Sequence, residues 1–87
     1  MQTLRVYDNP KYSDRYTVLV PNYHLDTGVM WLDILSVTEN GDTAFCGNWQ
    51  GGSTTNLGKR VQYSDLPGVI KEAIKFRLLQ DLWILRL

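Results

Sequence analysis

The stretch Val29-Met30-Trp31-Leu32-Asp33-Ile34-Leu35-Ser36-Val37 is the most apolar run before the C-terminal tail, and it decides the fold. If this segment is extended, apolar side chains fall on both of its faces and the charged Asp33 interrupts them. A strand of that kind is covered on both sides, or by a partner on one side. The spacing of Met30 and Ile34 also fits a short buried helix. The turn-forming Asn40-Gly41-Asp42 that follows is typical of a hairpin and favours the strand.

Four further segments are rich in β-branched or aromatic residues and are predicted to be strands. We expect Pro21 to end the second of them, because proline lacks the N–H that a ladder needs. Residues 47–58 carry several glycines among Ser, Thr and Asn and predict a loop. The four predicted strands are Leu4–Tyr7, Arg15–Val20, Thr43–Cys46 and Lys59–Tyr63.

A helix is predicted to open at Ser64-Asp65-Leu66-Pro67, since proline suits the first helical turn and Ser64 or Asp65 can cap the free amides. At 100° per residue, one face of this helix is apolar and is expected to meet the core. That predicted core face consists of Val69, Ile70, Ala73, Ile74 and Phe76.

Beyond Phe76 the apolar pattern rotates around the helix. Arg77 falls in line with the earlier apolar face and is spaced to pair with Asp81. One core in a chain of 87 residues does not bury both faces of a straight helix. Either the helix breaks near Arg77, or the second face meets another chain. This second face consists of Leu78, Leu79, Leu82, Trp83 and Leu85.

These elements predict one domain over residues 1–87, with residues 1–63 mostly β and residues 64–87 forming a helix and an apolar tail. The fold class is α+β: a small antiparallel sheet of about four to five strands with one C-terminal helix packed on it. Nine Lys and Arg balance nine Asp and Glu. No overall charge therefore attracts the chain to nucleic acid or anionic lipid.

Residues capable of chemistry are isolated along the chain. His24 has no cysteine or second histidine near it in sequence, and Asp26 alone does not complete a metal or catalytic site. Cys46, the one cysteine, follows an aromatic residue and is expected to be a buried small side chain. Lys59-Arg60 follow a glycine-rich loop, but their spacing and the strand after them do not fit a phosphate-binding loop. We predict no enzyme activity, no catalytic residues, no cofactor and no metal.

Asp33 is unusual inside so apolar a strand. A buried carboxylate has to be paired, so we expect it to meet an arginine such as Arg77 or to lie on an open strand face. A catalytic role is not favoured, because no second carboxylate is near it in sequence.

The chain is predicted to be cytoplasmic. Residues 1–5 lack the apolar core of a secretion signal, and no apolar run has the length of a membrane span. A single cysteine cannot form an intrachain disulfide, which fits a reducing compartment.

Nucleic-acid binding is the alternative prediction. Residues 43–64 contain no acidic residue and hold Trp49, Lys59, Arg60 and Tyr63. Aromatic and basic groups on a flexible loop stack on bases and contact phosphates. Two cations release few counterions, so binding through the Trp49–Tyr63 loop is not the favoured function.

Three motifs resemble a loose group of small proteins encoded by bacteriophages and mobile elements. They are Asp14-Arg15-Tyr16-Thr17-Val18, Leu57-Gly58-Lys59-Arg60-Val61 and Asp65-Leu66-Pro67-Gly68-Val69-Ile70. The resemblance implies an accessory protein in the host cytoplasm that binds a host enzyme or inhibits a host defence system such as CRISPR–Cas. Many such inhibitors are acidic DNA mimics, and the net charge of zero departs from that pattern.

We therefore predict stoichiometric binding to a host or phage protein, with no membrane involved. The predicted contact residues are Leu79, Leu82, Trp83 and Leu85 in the tail, with Trp49 and Arg60 as a second patch. The apolar tail face is alternatively a homodimer seam.

Overall fold

The computed structural model describes the backbone of residues 4–24 and 29–86 and the side chains of residues 4–21 and 32–80. The strands are β1 Arg5–Asp8, β2 Tyr16–His24, β3 Val29–Val37, β4 Thr43–Asn48 and β5 Lys59–Val61, and the helix is α1 Gly68–Arg86. Within these ranges the strands form one sheet in the order β4-β3-β2-β1-β5, and every neighbouring pair is antiparallel. This arrangement confirms the predicted α+β class.

The long hairpin of β2 and β3 forms the centre of the sheet. The two strands pair along their whole length, from Tyr16 opposite Val37 to His24 opposite Val29. The predicted end of β2 at Pro21 is therefore wrong. Among the described residues, the pairing of β1 with β2 reaches to Leu19, and the ladder partner of Pro21 is Leu32 on β3. A proline is tolerated in a strand at a position where its nitrogen is not needed for the ladder.

The core lies between α1 and one face of the sheet. Val6, Val18 and Leu35 stand side by side on β1, β2 and β3, and each is fully buried. Ile70 and Ile74, one helical turn apart, close over them. Burying each of these side chains stabilises the fold by roughly 1.5–3 kcal/mol. The other buried members of this cluster are Tyr16, Val37 and Leu66.

The face of the sheet away from α1 also buries side chains. Leu19 is fully buried there, and Tyr7 is nearly so. Residues 49–58 connect β4 to β5 and so have to cross from one edge of the sheet to the other. A hydrogen bond of 3.1 Å from Asn9 Nδ2 to the Asn56 carbonyl fixes the far end of this connection.

Five of the described glycines have a positive φ that other residues rarely adopt, and at two of them, Gly41 and Gly58, the path of the chain requires it. Gly41 has φ +90° in the turn between β3 and β4, as the predicted hairpin requires. Gly58 has φ +97° directly before β5, and a Cβ at this position would collide with the Asp8 carbonyl. The path of the chain into β5 therefore depends on glycine.

The helix starts slightly later than predicted. Tyr63–Asp65 form a 3-10 turn. The Pro67 carbonyl then accepts hydrogen bonds from the amides of Ile70 and Lys71, both at 3.0 Å. Ser64 and Asp65 thus belong to the preceding turn, outside α1.

The helix is continuous past the point where its apolar pattern rotates. It runs from Gly68 to Arg86 without interruption. The alternative of a break near Arg77 is therefore wrong, and the second apolar face belongs to the same straight element as the first.

Candidate functional site

Three large apolar side chains of α1 are exposed to solvent. Val69 is 56% exposed, Phe76 65% and Leu79 56%. Their spacings of seven and three residues place them on one side of a helix. Single exposed apolar residues are common on protein surfaces, whereas several in one row mark a contact surface. We call this row of Val69, Phe76 and Leu79 the outer stripe.

The prediction that Val69 and Phe76 face the core is wrong. Together with Ile70, Ala73 and Ile74 they span roughly 160° of the helix circumference. Ile70 and Ile74 are fully buried and Ala73 is half-buried. The part of this arc around Ile70 and Ile74 is buried against the sheet, and the end that carries Val69 and Phe76 is exposed to solvent.

Polar contacts on both sides of α1 hold it in this rotation. On the β5 side, the Tyr63 hydroxyl donates a hydrogen bond of 2.8 Å to the Lys71 carbonyl. On the β4 side, Arg77 Nη1 donates to the carbonyl and hydroxyl oxygens of Thr43, at 3.3 and 3.4 Å. Arg77 Cζ also lies 5.1 Å from the centre of the Phe45 ring. Arg77 is thus turned toward the sheet, in line with the apolar face as the sequence indicated.

The predicted tail contacts fall partly within the described side chains. Leu79 is exposed in the outer stripe. Leu78, from the same predicted face, instead packs against the core. Positions 82, 83 and 85 lie within α1, but the side chains of Leu82, Trp83 and Leu85 are outside the described residues. Their role as contacts stays a prediction.

The second predicted patch, Trp49 with Arg60, is not compact. The Trp49 amide donates to the Leu32 carbonyl, which places Trp49 beside β3 and β4. Arg60 lies on β5, at the opposite edge of the sheet. With strands about 4.8 Å apart, the two backbones are separated by roughly 15–20 Å. A single small ligand does not bridge that distance, so each residue has to be tested as a separate contact.

Cys46 is exposed on β4, and the expectation of a buried cysteine is wrong. It lies on the face of the sheet away from α1, on β4, which among the described strands pairs with β3 alone. Its Sγ is 3.1 Å from Ser36 Oγ. Phe45, the adjacent residue, points the other way and packs against the core.

The other sequence candidates fall partly outside the described residues. The side chains of His24, Asp26 and Asp81 are among those not described. Within the described part of the chain, no group of His, Cys, Asp and Glu is arranged to hold a metal ion. Asp33 is half-buried on β3, on the face of the sheet that carries α1.

A polar cleft of about 570 Å³ opens at the β5 edge. One wall is a bidentate ion pair in which Arg15 donates to both oxygens of Asp8, at 2.7 and 3.1 Å. Arg15 also donates to Glu39 at 3.1 Å. These hydrogen bonds, the one to Asp8 first, raise the pKa of Arg15 above its ordinary value. Lys59 and Arg60 line the cleft as exposed cations.

The pKa of Tyr63 is also shifted by its surroundings. Burial raises the pKa of its hydroxyl above the ordinary value of 10.0, and the negative charge of Glu72 adds to the effect. Tyr63 therefore keeps its proton and stays a hydrogen-bond donor to α1 through the physiological pH range.

None of the described helices combines the length and the hydropathy that crossing a lipid bilayer needs. Compared with family models, with curated proteins and with solved structures, the chain matches none of them. The resemblance to small phage proteins therefore stays a prediction, and the functional argument rests on the geometry of the outer stripe.

Proposed function

We propose that this protein acts by stoichiometric binding to another protein through the outer stripe, without catalysing a reaction. The exposure of Phe76 and Leu79 supports this function most directly. The opposite side of α1 already contributes Ile70 and Ile74 to the core. The exposed apolar residues are therefore not needed to attach the helix to the sheet. A helix face of this kind docks into an apolar groove of a partner, with anchors spaced three, four or seven residues apart.

The composition of the stripe fits a small interface. Val69 to Leu79 covers about 15 Å of helix length. Phe76 supplies an aromatic anchor at the middle, and aromatic residues carry a large share of the binding energy in interfaces. Glu72, between Val69 and Phe76 in the same row, and Lys75 beside it are exposed and charged, so the apolar anchors are accompanied by polar groups.

The class of partner we propose follows from the sequence resemblance. It is a bacterial protein of a host defence system, such as a CRISPR–Cas component, which this chain would inhibit in the host cytoplasm. The net charge of zero favours contact with protein surface over mimicry of nucleic acid.

A paired set of variants tests this function. The double variant Phe76→Asp, Leu79→Asp places two carboxylates in the outer stripe, whereas Lys75→Asp adds one to the same helix and removes no apolar side chain. Tagged proteins are incubated with bacterial lysate, captured partners are identified, and each is purified and titrated back. We expect a saturating complex of fixed stoichiometry with the wild type and with Lys75→Asp, and at least a hundredfold weaker binding with the double variant. Equal binding by all three proteins would remove the outer stripe as the contact surface.

Binding of single-stranded nucleic acid is the second candidate function. The exposed cations Lys59 and Arg60 at the mouth of the cleft favour it. The separation of Trp49 from Arg60 argues against the loop-based version, because stacking and phosphate contacts would occur at opposite edges of the sheet. Anisotropy of a labelled oligonucleotide at low salt tests it, with Arg60→Ala as the variant. No change in anisotropy would eliminate this candidate.

A further inference from the structure

The two edges of the sheet differ in how they are protected. At one edge, β5 has three residues, and two of them are the cations Lys59 and Arg60. Short edge strands that carry Lys are a common defence against unwanted strand pairing. At the other edge, β4 has six residues and no charge: Thr-Ala-Phe-Cys-Gly-Asn. In the described part of the chain, the β4 edge is therefore the one without this protection against another strand.

Hydrogen-bonding groups of Thr43 and Phe45 point out of the sheet at this edge. The Thr38 amide donates to the Asp42 carbonyl at 2.9 Å, so Asp42 is turned toward β3. Backbone groups alternate along a strand, which turns the next residue, Thr43, outward. The bond from Arg77 to the Thr43 carbonyl agrees with this orientation. By the same alternation, the backbone N–H and C=O of Phe45 point outward. A carbonyl has two lone pairs, so the Thr43 carbonyl keeps one acceptor site beside its contact with Arg77.

We propose that a second copy of this chain pairs with β4 in antiparallel register, centred on Ala44. Thr43 of each copy would then lie opposite the partner's Phe45 and exchange two main-chain hydrogen bonds with it. Ala44 lies between these pairs, opposite the partner's Ala44. The arrangement is self-complementary, as a two-fold interface requires, and it joins the two sheets into one.

Two features favour a second copy over an unrelated strand. Ala44 is small and exposed, and its side chain does not obstruct a close seam. Val69 lies on the β4 side of α1, with its Cγ2 3.4 Å from where a Cβ on Gly41 would be. Two-fold pairing at β4 brings this side of α1 toward its counterpart in the second copy.

The regular part of the seam is short. The register of β4 against β3 shifts after Phe45, and this bulge ends the stretch that pairs in a straight ladder. The dimer is accordingly weak and depends on concentration. This inference goes beyond the proposed function: it uses the β4 edge, and it leaves Phe76 and Leu79 of both copies on one common face.

A charge-swap experiment tests the seam. Ala44→Lys and Ala44→Glu each place like charges directly opposite each other in the proposed dimer, which is destabilising. Mixed together, the two variants place a lysine opposite a glutamate. Gln62→Lys and Gln62→Glu, exposed at the other edge, are the matched controls. Mass is measured by analytical ultracentrifugation between about 1 μM and 1 mM, and circular dichroism verifies that each variant is folded.

We expect a concentration-dependent dimer of the wild type and of both Gln62 variants. Each Ala44 variant alone should dimerise at least roughly tenfold more weakly, and an equimolar mixture should recover the wild-type dimer. A wild type that stays monomeric over the whole range would overturn the inference, and so would a dimer that the Ala44 variants leave unchanged. Neither result decides the role of Phe76 and Leu79 in partner binding, since the variants at those two positions report on it separately.

Discussion

Arg77 of α1 lies over the ring of Phe45 on β4, with its Cζ 5.1 Å from the ring centre. The same guanidinium donates to the Thr43 carbonyl. A cation thus occupies a sheet-facing position of the helix and attaches it to the edge strand. Arg77 is turned toward the sheet, and the preceding residue, Phe76, is exposed to solvent. The Arg77 contact therefore helps to set the helix rotation that exposes the outer stripe.

Replacing Arg77 by alanine should destabilise the fold. The variant loses a partly exposed cation–π contact and the hydrogen bonds to Thr43, and we expect the free energy of unfolding to fall by about 1–2 kcal/mol. Urea unfolding measures the change. Lys75→Ala, at an exposed position of the same helix, should differ from the wild type by no more than about 0.5 kcal/mol. Equal effects of the two variants would mean that Arg77 does not attach α1 to β4.

Two truncations on α1 test the rotation of the helix. Ile74 is fully buried, so Ile74→Ala should lower the free energy of unfolding by about 2–5 kcal/mol. Leu79 is 56% exposed, and Leu79→Ala should cost about 1 kcal/mol or less. Thermal or urea unfolding at low protein concentration gives both values. A larger loss for Leu79→Ala than for Ile74→Ala would contradict the rotation described above.

Two glycines with similar φ offer a comparison of strain with and without a collision. Gly51 has φ +88° and open space where a Cβ would stand, whereas a Cβ on Gly58 would meet the Asp8 carbonyl. Gly51→Ala should cost about 1–2 kcal/mol from backbone strain alone. Gly58 has φ +97° and ψ −155°, which side chains other than glycine hardly adopt, and the collision adds to that strain, so we expect a clearly larger loss of stability for Gly58→Ala by urea unfolding. Similar losses would show that the chain before β5 moves away from β1 at little cost.

The hydroxyl of Tyr63 gives the fold a dependence on alkaline pH. Its pKa is raised in the folded protein, so the unfolded chain releases the proton first as pH rises past 10.0. Stability from this group is complete below that pH and is lost as pH rises through the folded pKa. Tyr63→Phe lacks both the titration and the hydrogen bond to Lys71, and should be about 0.5–1.5 kcal/mol less stable at neutral pH. The stability difference between the two proteins should shrink above pH 10; a difference that stays constant would show that Tyr63 titrates normally.

Local patterns in the sequence were enough to predict the sheet. The β-branched residues of β2 and the apolar run of β3 gave strands, and Asn40-Gly41-Asp42 gave the hairpin between β3 and β4. Pro21 was misjudged because the local rule against proline in strands takes no account of which side of the strand needs the N–H for pairing. That depends on the neighbouring strands and their register, which are tertiary properties.

The candidate site was harder to predict, for two physical reasons. A helical wheel gives the angles between Val69, Ile70 and Phe76, but it does not say which angle meets the sheet. The contacts of Arg77 and Tyr63 on either side of α1 decide that. Residues 49–58 cross the sheet between its edges, so closeness in sequence did not bring Trp49 and Arg60 together. The lack of charge in β4 was visible in the sequence. It indicates a pairing surface only because β4 lies at an edge of the sheet, which the sequence does not show.

The most direct test of the central claim is site-specific photo-crosslinking of the full chain in bacterial cells. A photoreactive residue is placed at position 76, at position 79 or at the exposed control position 62. We predict a discrete adduct with one protein other than this chain from positions 76 and 79, and none from position 62. If positions 76 and 79 gave no such adduct, or if position 62 gave the same one, the outer stripe would not be the surface through which this protein acts.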